Sequence, residues 1–176
     1  MRIIAGTHAG RRLAVPPKGT RPTSDRVRES LFSVLNGWGV IDGARVLDLY
    51  AGSGALGFEA LSRGAESLVA VDASRQATRA IRENAAVLGE RVEVQQSSVV
   101  RFLRTPPREF DLVFIDPPYE EDVDQALELL AEGWLSEQGI VVVERSSRTV
   151  PPLLPEGWEP REERRYGETT LWLSGR

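Results

Sequence analysis

From residue 45 onward the sequence repeats one unit: a short apolar run, a turn, and a stretch with helical periodicity. Apolar runs fall at 45–49, 68–72, 92–94, 111–115 and 139–143. Between them, 55–63 reads as a helix closed by Gly64, and a second helix is capped by Ser74, stopped by Gly89 and faced by Ala77, Ile81, Ala85 and Leu88. A third carries Val123, Ala126, Leu127, Leu130 and Trp134 on one side. Strands that alternate with helices predict an α/β fold, a mostly parallel sheet covered on both faces. The tail departs from this pattern: 158–165 and 169–173, split by Tyr166-Gly167-Glu168, predict an antiparallel hairpin at the sheet edge.

The amino-terminal segment differs again. Residues 2–5 and 12–15 read as a short β-hairpin around His8-Ala9-Gly10, ended by Pro16-Pro17-Lys18-Gly19. A helix is predicted from about Ser24, because Val27, Leu31, Val34, Leu35 and Trp38 recur on one face. We therefore divide the chain into a basic arm, 1–22, and a main domain, 23–176.

Charge supports that division. The net charge is −4. Residues 1–28 nonetheless hold Arg2, Arg11, Arg12, Lys18, Arg21, Arg26 and Arg28 against Asp25 alone, so the excess of negative charge lies entirely beyond them. A basic arm on an acidic body is expected where one surface meets phosphates. The plainer alternative is a solvated charged face in an arginine-preferring sequence. The chain has no cysteine and one histidine, His8, which excludes disulfides and thiolate metal sites and leaves too few imidazoles for a catalytic zinc. Neither a signal-peptide core nor a membrane-length apolar run is present, so a cytoplasmic monomer without metal or membrane partner is expected.

In open α/β sheets ligands bind beyond the carboxyl ends of the strands, so residues just after the first, second and fourth runs should share one crevice. After the first comes Asp48-Leu49-Tyr50-Ala51-Gly52-Ser53-Gly54, a turn that lets backbone approach a ligand closely. Asp72, after the second, is placed to accept from the two hydroxyls of a ribose. Gly52, Gly54 and Gly57 also fit the dinucleotide pattern G-x-G-x-x-G, but Asp48 would bring negative charge near a pyrophosphate. It suits instead the cationic methionine end of S-adenosylmethionine. Ser97 and Ser98 follow the third run, where a serine hydroxyl either reaches an adenine amino group or caps the next helix.

Asp116-Pro117-Pro118-Tyr119, directly after the fourth run, is the most specific signal. An aromatic exocyclic amine is a weak nucleophile because its lone pair is delocalised into the ring. The Asp116 carboxylate and the Pro117 carbonyl can each accept one N–H of such an amine and turn its lone pair toward an incoming methyl group. The prolines fix the backbone, and Tyr119 can stack on a flipped base. The alternative, a proline-terminated strand with an acid and an aromatic in its turn, explains less of the pattern.

The sequence resembles the RsmD family of 16S ribosomal RNA guanine-N2 methyltransferases over nearly its whole length. The likeness rests on Arg2-Ile3-Ile4-Ala5-Gly6 with Gly10-Arg11-Arg12-Leu13, on 21–32, on 48–56, on Glu59-Ala60-Leu61-Ser62-Arg63-Gly64 and on 116–119. The tetrapeptide also marks adenine and glutamine-amide methylating enzymes, so the first two motifs are the more family-specific. The resemblance implies a Rossmann-like class I methyltransferase fold with a seven-stranded sheet. It implies that Asp48, Gly52, Gly54 and Asp72 hold S-adenosylmethionine, that Asp116 and Tyr119 serve the target guanine, and that the basic arm grips 16S rRNA, free or within the small subunit or its assembly intermediates. Beside these, Tyr50 and Ser98 are candidates for the cofactor, Ser98 standing where the family has a more polar residue, Pro117 is a candidate for the amine, and Arg11, Arg12, Lys18, Arg21, Arg26 and Arg28 are candidates for the RNA. The competing expectations are an N6-adenine DNA methyltransferase, which shares the tetrapeptide but generally needs a further recognition domain, and a ribosome-assembly binding module that has lost catalysis.

Overall fold

The computed structural model describes residues 1–17 and 23–176. Lys18 and Arg21, two of the expected phosphate contacts, lie outside the described residues. Element order is α1 (Asp25–Gly37), β1 (Arg45–Leu49), α2 (Ala55–Ser62), β2 (Ser67–Asp72), α3 (Arg75–Leu88), β3 (Glu93–Gln96), α4 (Val99–Leu103), β4 (Phe110–Ile115), α5 (Asp124–Leu130), β5 (Leu135–Ser146), β6 (Glu159–Tyr166) and β7 (Thr169–Gly175).

The strands form one seven-stranded sheet in the order β3-β2-β1-β4-β5-β7-β6. β1 to β5 run parallel, β7 is antiparallel to β5, and β6 pairs antiparallel with β7. The central strands are near-continuous apolar runs because both faces are covered, and alternate residues feed two cores. Val46, Leu112, Phe114 and Val142 pack with α1, α2 and α3, while Leu47, Leu49, Val113 and Val141 pack with α4 and α5. Ser24 caps α1 by accepting from the Val27 N–H, and Ser74 does the same for α3 with Ala77.

Strand order reverses between β1 and β4, which opens a crevice at their carboxyl ends. The expected elements are present with shifted edges. β5 is much longer than the apolar run that announced it, and α5 stops at Leu130. Trp134 therefore sits in the turn beyond that helix, buried, with its indole N–H donating to the Leu103 carbonyl at 3.1 Å.

The amino-terminal hairpin is reduced to a single bridge, Arg2 with Arg12. Side chains from the body take over the backbone groups that a longer ladder would use. Glu59 accepts the Ile4 and Ala5 N–H groups at 2.9 and 3.1 Å, and Asn84 pairs with both the N–H and carbonyl of Ala14 at 2.7 and 3.0 Å. Ile3 and Leu13 are buried in the same cluster as Phe32 and Phe58. At Gly6, with φ of +87°, a Cβ would lie 1.8 Å from the Ser62 carbonyl oxygen, so only glycine permits the arm to lie this close to α2.

Candidate active site

A cavity of about 860 Å³ occupies the crevice, within the roughly 300–1,000 Å³ usual for ligand sites. One end is walled by Asp48, the turn after β1, Asp72 and Ser98; the other by Thr23, Asp116, Pro117, Tyr119 and Glu144.

At the first end, Tyr50 has a φ of 57°, the one positive value at a non-glycine among the described residues. The strain is held by pairing on either side: Ala51 N–H donates to the Val71 carbonyl at 3.0 Å, and the Tyr50 hydroxyl donates to Glu121 at 2.9 Å. Burial and then Glu121 push the Tyr50 phenol upward. Glu121 lies just past the tetrapeptide, so this bond ties the two ends of the site together. The Gly52 N–H donates to Asp72 Oδ2 at 2.9 Å and the Ser74 N–H to Oδ1 at 2.8 Å, which fixes the carboxylate while leaving each oxygen a further lone pair.

Asp48 is buried, and its Oδ2 accepts the Gly57 N–H at 3.0 Å. Burial pushes its carboxyl up to about 8, against the pull of the Gly57 N–H and with a smaller push from Asp72. A Cβ on Gly57 would meet Leu68 at 2.6 Å and Asp48 at 3.2 Å, so the glycine is what lets α2 approach both strand and acid. Ser98 borders the cavity and also caps α4, accepting the Arg101 N–H at 3.3 Å.

At the second end, β4 delivers Asp116 and β5 delivers Glu144. Thr23, buried just ahead of α1, lies between them: its Oγ1 is 2.7 Å from Glu144 Oε2 and 3.5 Å from Asp116 Oδ2. Burial pushes the Asp116 carboxyl well above its ordinary range, with the Glu144 and Asp48 charges adding to the effect. Tyr119 is 63% exposed at the mouth, its ring open to stacking, and its carbonyl accepts from Arg145 at 3.4 Å.

Sequence reasoning missed Thr23 and Glu144. The signal for Glu144 was present, since it follows the apolar run 140–143 as Asp116 follows β4.

Of the expected phosphate contacts, Arg11, Arg12 and Arg26 are exposed, although Arg11 also donates to the Val87 carbonyl at 2.9 Å. Arg28 requires correction. It is fully buried, donating to the Arg2 carbonyl and to Asp25, both at 2.7 Å, with Glu59 at 3.8 Å. Arg28, Phe32 and Leu35 recur at i, i+4 and i+7, so α1 turns this arginine into the core face, where it anchors the arm and cannot reach a phosphate.

The family model described as Conserved hypothetical protein 95 matches residues 1–175. Ribosomal RNA small subunit methyltransferase D of Escherichia coli (strain K12) is 37% identical over 177 residues, covering 98% of this chain and 88% of that protein. The solved structure of a hypothetical protein from Thermus thermophilus superposes with a TM-score of 0.85 at 33% identity, covering 100% of this chain and 99% of the other. At 22% identity, the ribosomal protein L11 methylase from Lactobacillus delbrueckii subsp. bulgaricus shares the fold, with a TM-score of 0.66 over 88% of this chain and 80% of its own.

Proposed function

The chain belongs to the RsmD family, and from that premise we propose that it is an S-adenosylmethionine-dependent methyltransferase acting on the N2 amine of a guanine in 16S ribosomal RNA, free or in the small subunit. The observation that carries this reading is the joining of two unlike ends in one cavity: acids suited to a cation at one, acceptors suited to an amine at the other.

The residues present fit S-adenosylmethionine. Asp48 is an acid that burial keeps protonated and that a cation would help to ionise. Asp72, fixed by two backbone N–H groups, keeps lone pairs for ribose hydroxyls. Tyr50, Gly52 and Ser98 line the remaining wall, and Gly54, outside the lining, turns the chain into α2 with a φ of 80°. When bound there, the cofactor supplies an electrophilic methyl group on a sulfonium.

This chain's contribution to the reaction is orientation. The Asp116 carboxylate and the Pro117 carbonyl accept the two amine hydrogens and point the nitrogen lone pair at the methyl group, which removes much of the entropic part of the barrier. Tyr119 stacks on the extruded base, as befits a ring that stands largely exposed at the mouth. Arg11, Arg12 and Arg26, exposed on or next to the 1–22 extension, meet phosphates and bring RNA to the 23–176 domain. No helix among the described residues is long and apolar enough to cross a membrane.

The experiment is to incubate the protein with labelled S-adenosylmethionine and free 16S rRNA, small subunits or duplex DNA, then identify the labelled nucleoside. N2-methylguanosine from rRNA or subunits is the expected product. N6-methyladenine from DNA would overturn the reading.

A further inference from the structure

Glu144 has no part in the orientation step, yet it stands beside the acid that performs it. β4 and β5 pair in parallel with Ile115 opposite Val143, so Asp116 and Glu144 are the next residues on neighbouring strands. Both touch one hydroxyl, that of Thr23, and both line the cavity with Pro117 and Tyr119. Two carboxylates held together in a crevice present adjoining acceptors to whatever enters it. The push of Glu144 on Asp116 is the mark of that crowding.

We propose that Glu144 selects guanine, its carboxylate accepting the ring N1–H while Asp116 accepts an N–H of the adjacent amine. This deepens the reading of the reaction given above and rests on it. Guanine is the one amine-bearing base with a ring N–H beside its amine; adenine and cytosine place only a nitrogen lone pair there. Facing Glu144, the guanine N–H makes a charge-assisted hydrogen bond, and a lone pair is repelled. Two adjacent donors on guanine thus meet two adjacent acceptors on the protein. A site built to bond an N–H rejects an analogue lacking it by roughly 10⁴-fold.

The test uses 2-aminopurine, which keeps the amine of guanine but replaces N1–H with a lone pair. The wild-type protein first locates its target guanine by mass mapping of rRNA from small subunits of cells that lack the enzyme. Subunits are then reconstituted with guanine or 2-aminopurine at that position, and single-turnover rates give the guanine to 2-aminopurine ratio for wild type and Glu144→Gln. The ratio is internal to each preparation, so any loss of folded protein cancels.

Glu144→Gln should slow guanine methylation by roughly 10- to 100-fold, as expected when a charged acceptor is lost. The glutamine amide can donate to the lone pair of 2-aminopurine, so the ratio should fall by at least about tenfold relative to wild type. An equal slowing of both substrates, with the ratio unchanged, would show that Glu144 merely holds Thr23 and would overturn the proposal. If wild-type protein methylates no guanine N2 at all, the reading of the reaction fails, and the inference fails with it.

Discussion

Asp48 in β1 and Asp116 just past the neighbouring β4 line one cavity, and burial raises both, but the company each keeps differs in kind. Asp48 is bonded by an N–H only nine residues away, on the helix that its own turn begins. Asp116 is set by a second carboxylate and by a threonine 93 residues earlier in the chain. A buried acid gains from a cation, and one with a second carboxylate bonded to the same hydroxyl gains from N–H donors. On the function proposed above, the two parts of the cavity would sort the two substrates by chemistry, positive charge to one and amine to the other.

The sharpest way to break this comparison is Asp116→Asn. Removing a transition-state contact of about 3 kcal/mol should slow single-turnover methyl transfer at saturating cofactor by roughly a hundredfold. Cofactor affinity should hardly move. A variant that lost affinity while keeping its rate would place Asp116 at the wrong end.

Asp72→Ala makes the converse test. Hydrogen bonds to a charged group contribute about 1.5–3 kcal/mol, so S-adenosylmethionine affinity should fall roughly ten- to a hundredfold by calorimetry. Unchanged affinity would remove Asp72 from the site.

Asp48 makes a pH test. Its acid rises from 3.8 to about 8 in the fold, so at pH 7 a cation that prefers the ionised form must expel its proton. Affinity for S-adenosylmethionine should therefore climb about tenfold per pH unit toward pH 8 and then level off. Calorimetry in buffers of different ionisation heat should register the released proton, and Asp48→Asn should abolish both effects. The same shift favours the protonated fold, so Asp48 makes the ligand-free protein less stable as pH rises from about 4 to about 8. A flat binding profile in the wild type would mean that the cationic group lies elsewhere.

The smallest effect concerns Tyr119. Tyr119→Phe should leave single-turnover rates almost unchanged, and Tyr119→Ala should lose about 1–3 kcal/mol of base stacking. Equal damage from both would make the hydroxyl the working group.

What could be read in the sequence follows the same division. The turn after β1, Asp48, Asp72 and the tetrapeptide are local patterns, each a few residues long and each anchored to an apolar run. The bond between Thr23 and Glu144 spans 121 residues, and no local pattern contains it. Arg28 was misread for a related reason. Charge counting treated it as one more surface arginine, whereas the spacing of Phe32 and Leu35 already assigned it to the packed face of α1. Likewise the shortness of the amino-terminal ladder depends on Glu59 and Asn84, whose reach toward the arm is set only once α2 and α3 are in place.

That dependence bears on how the molecule comes to be made. Chains are synthesised amino terminus first, at about 5–20 residues per second. Residues 4–14 emerge before their partners, Glu59, Ser62, Asn84 and Glu90, which follow 54 to 82 positions later. Until then Ile3 and Leu13 have no core to enter. Segment 3–14 is thus among the late parts of the protein to dock, and it closes over a helix that the turn after β1 has already begun.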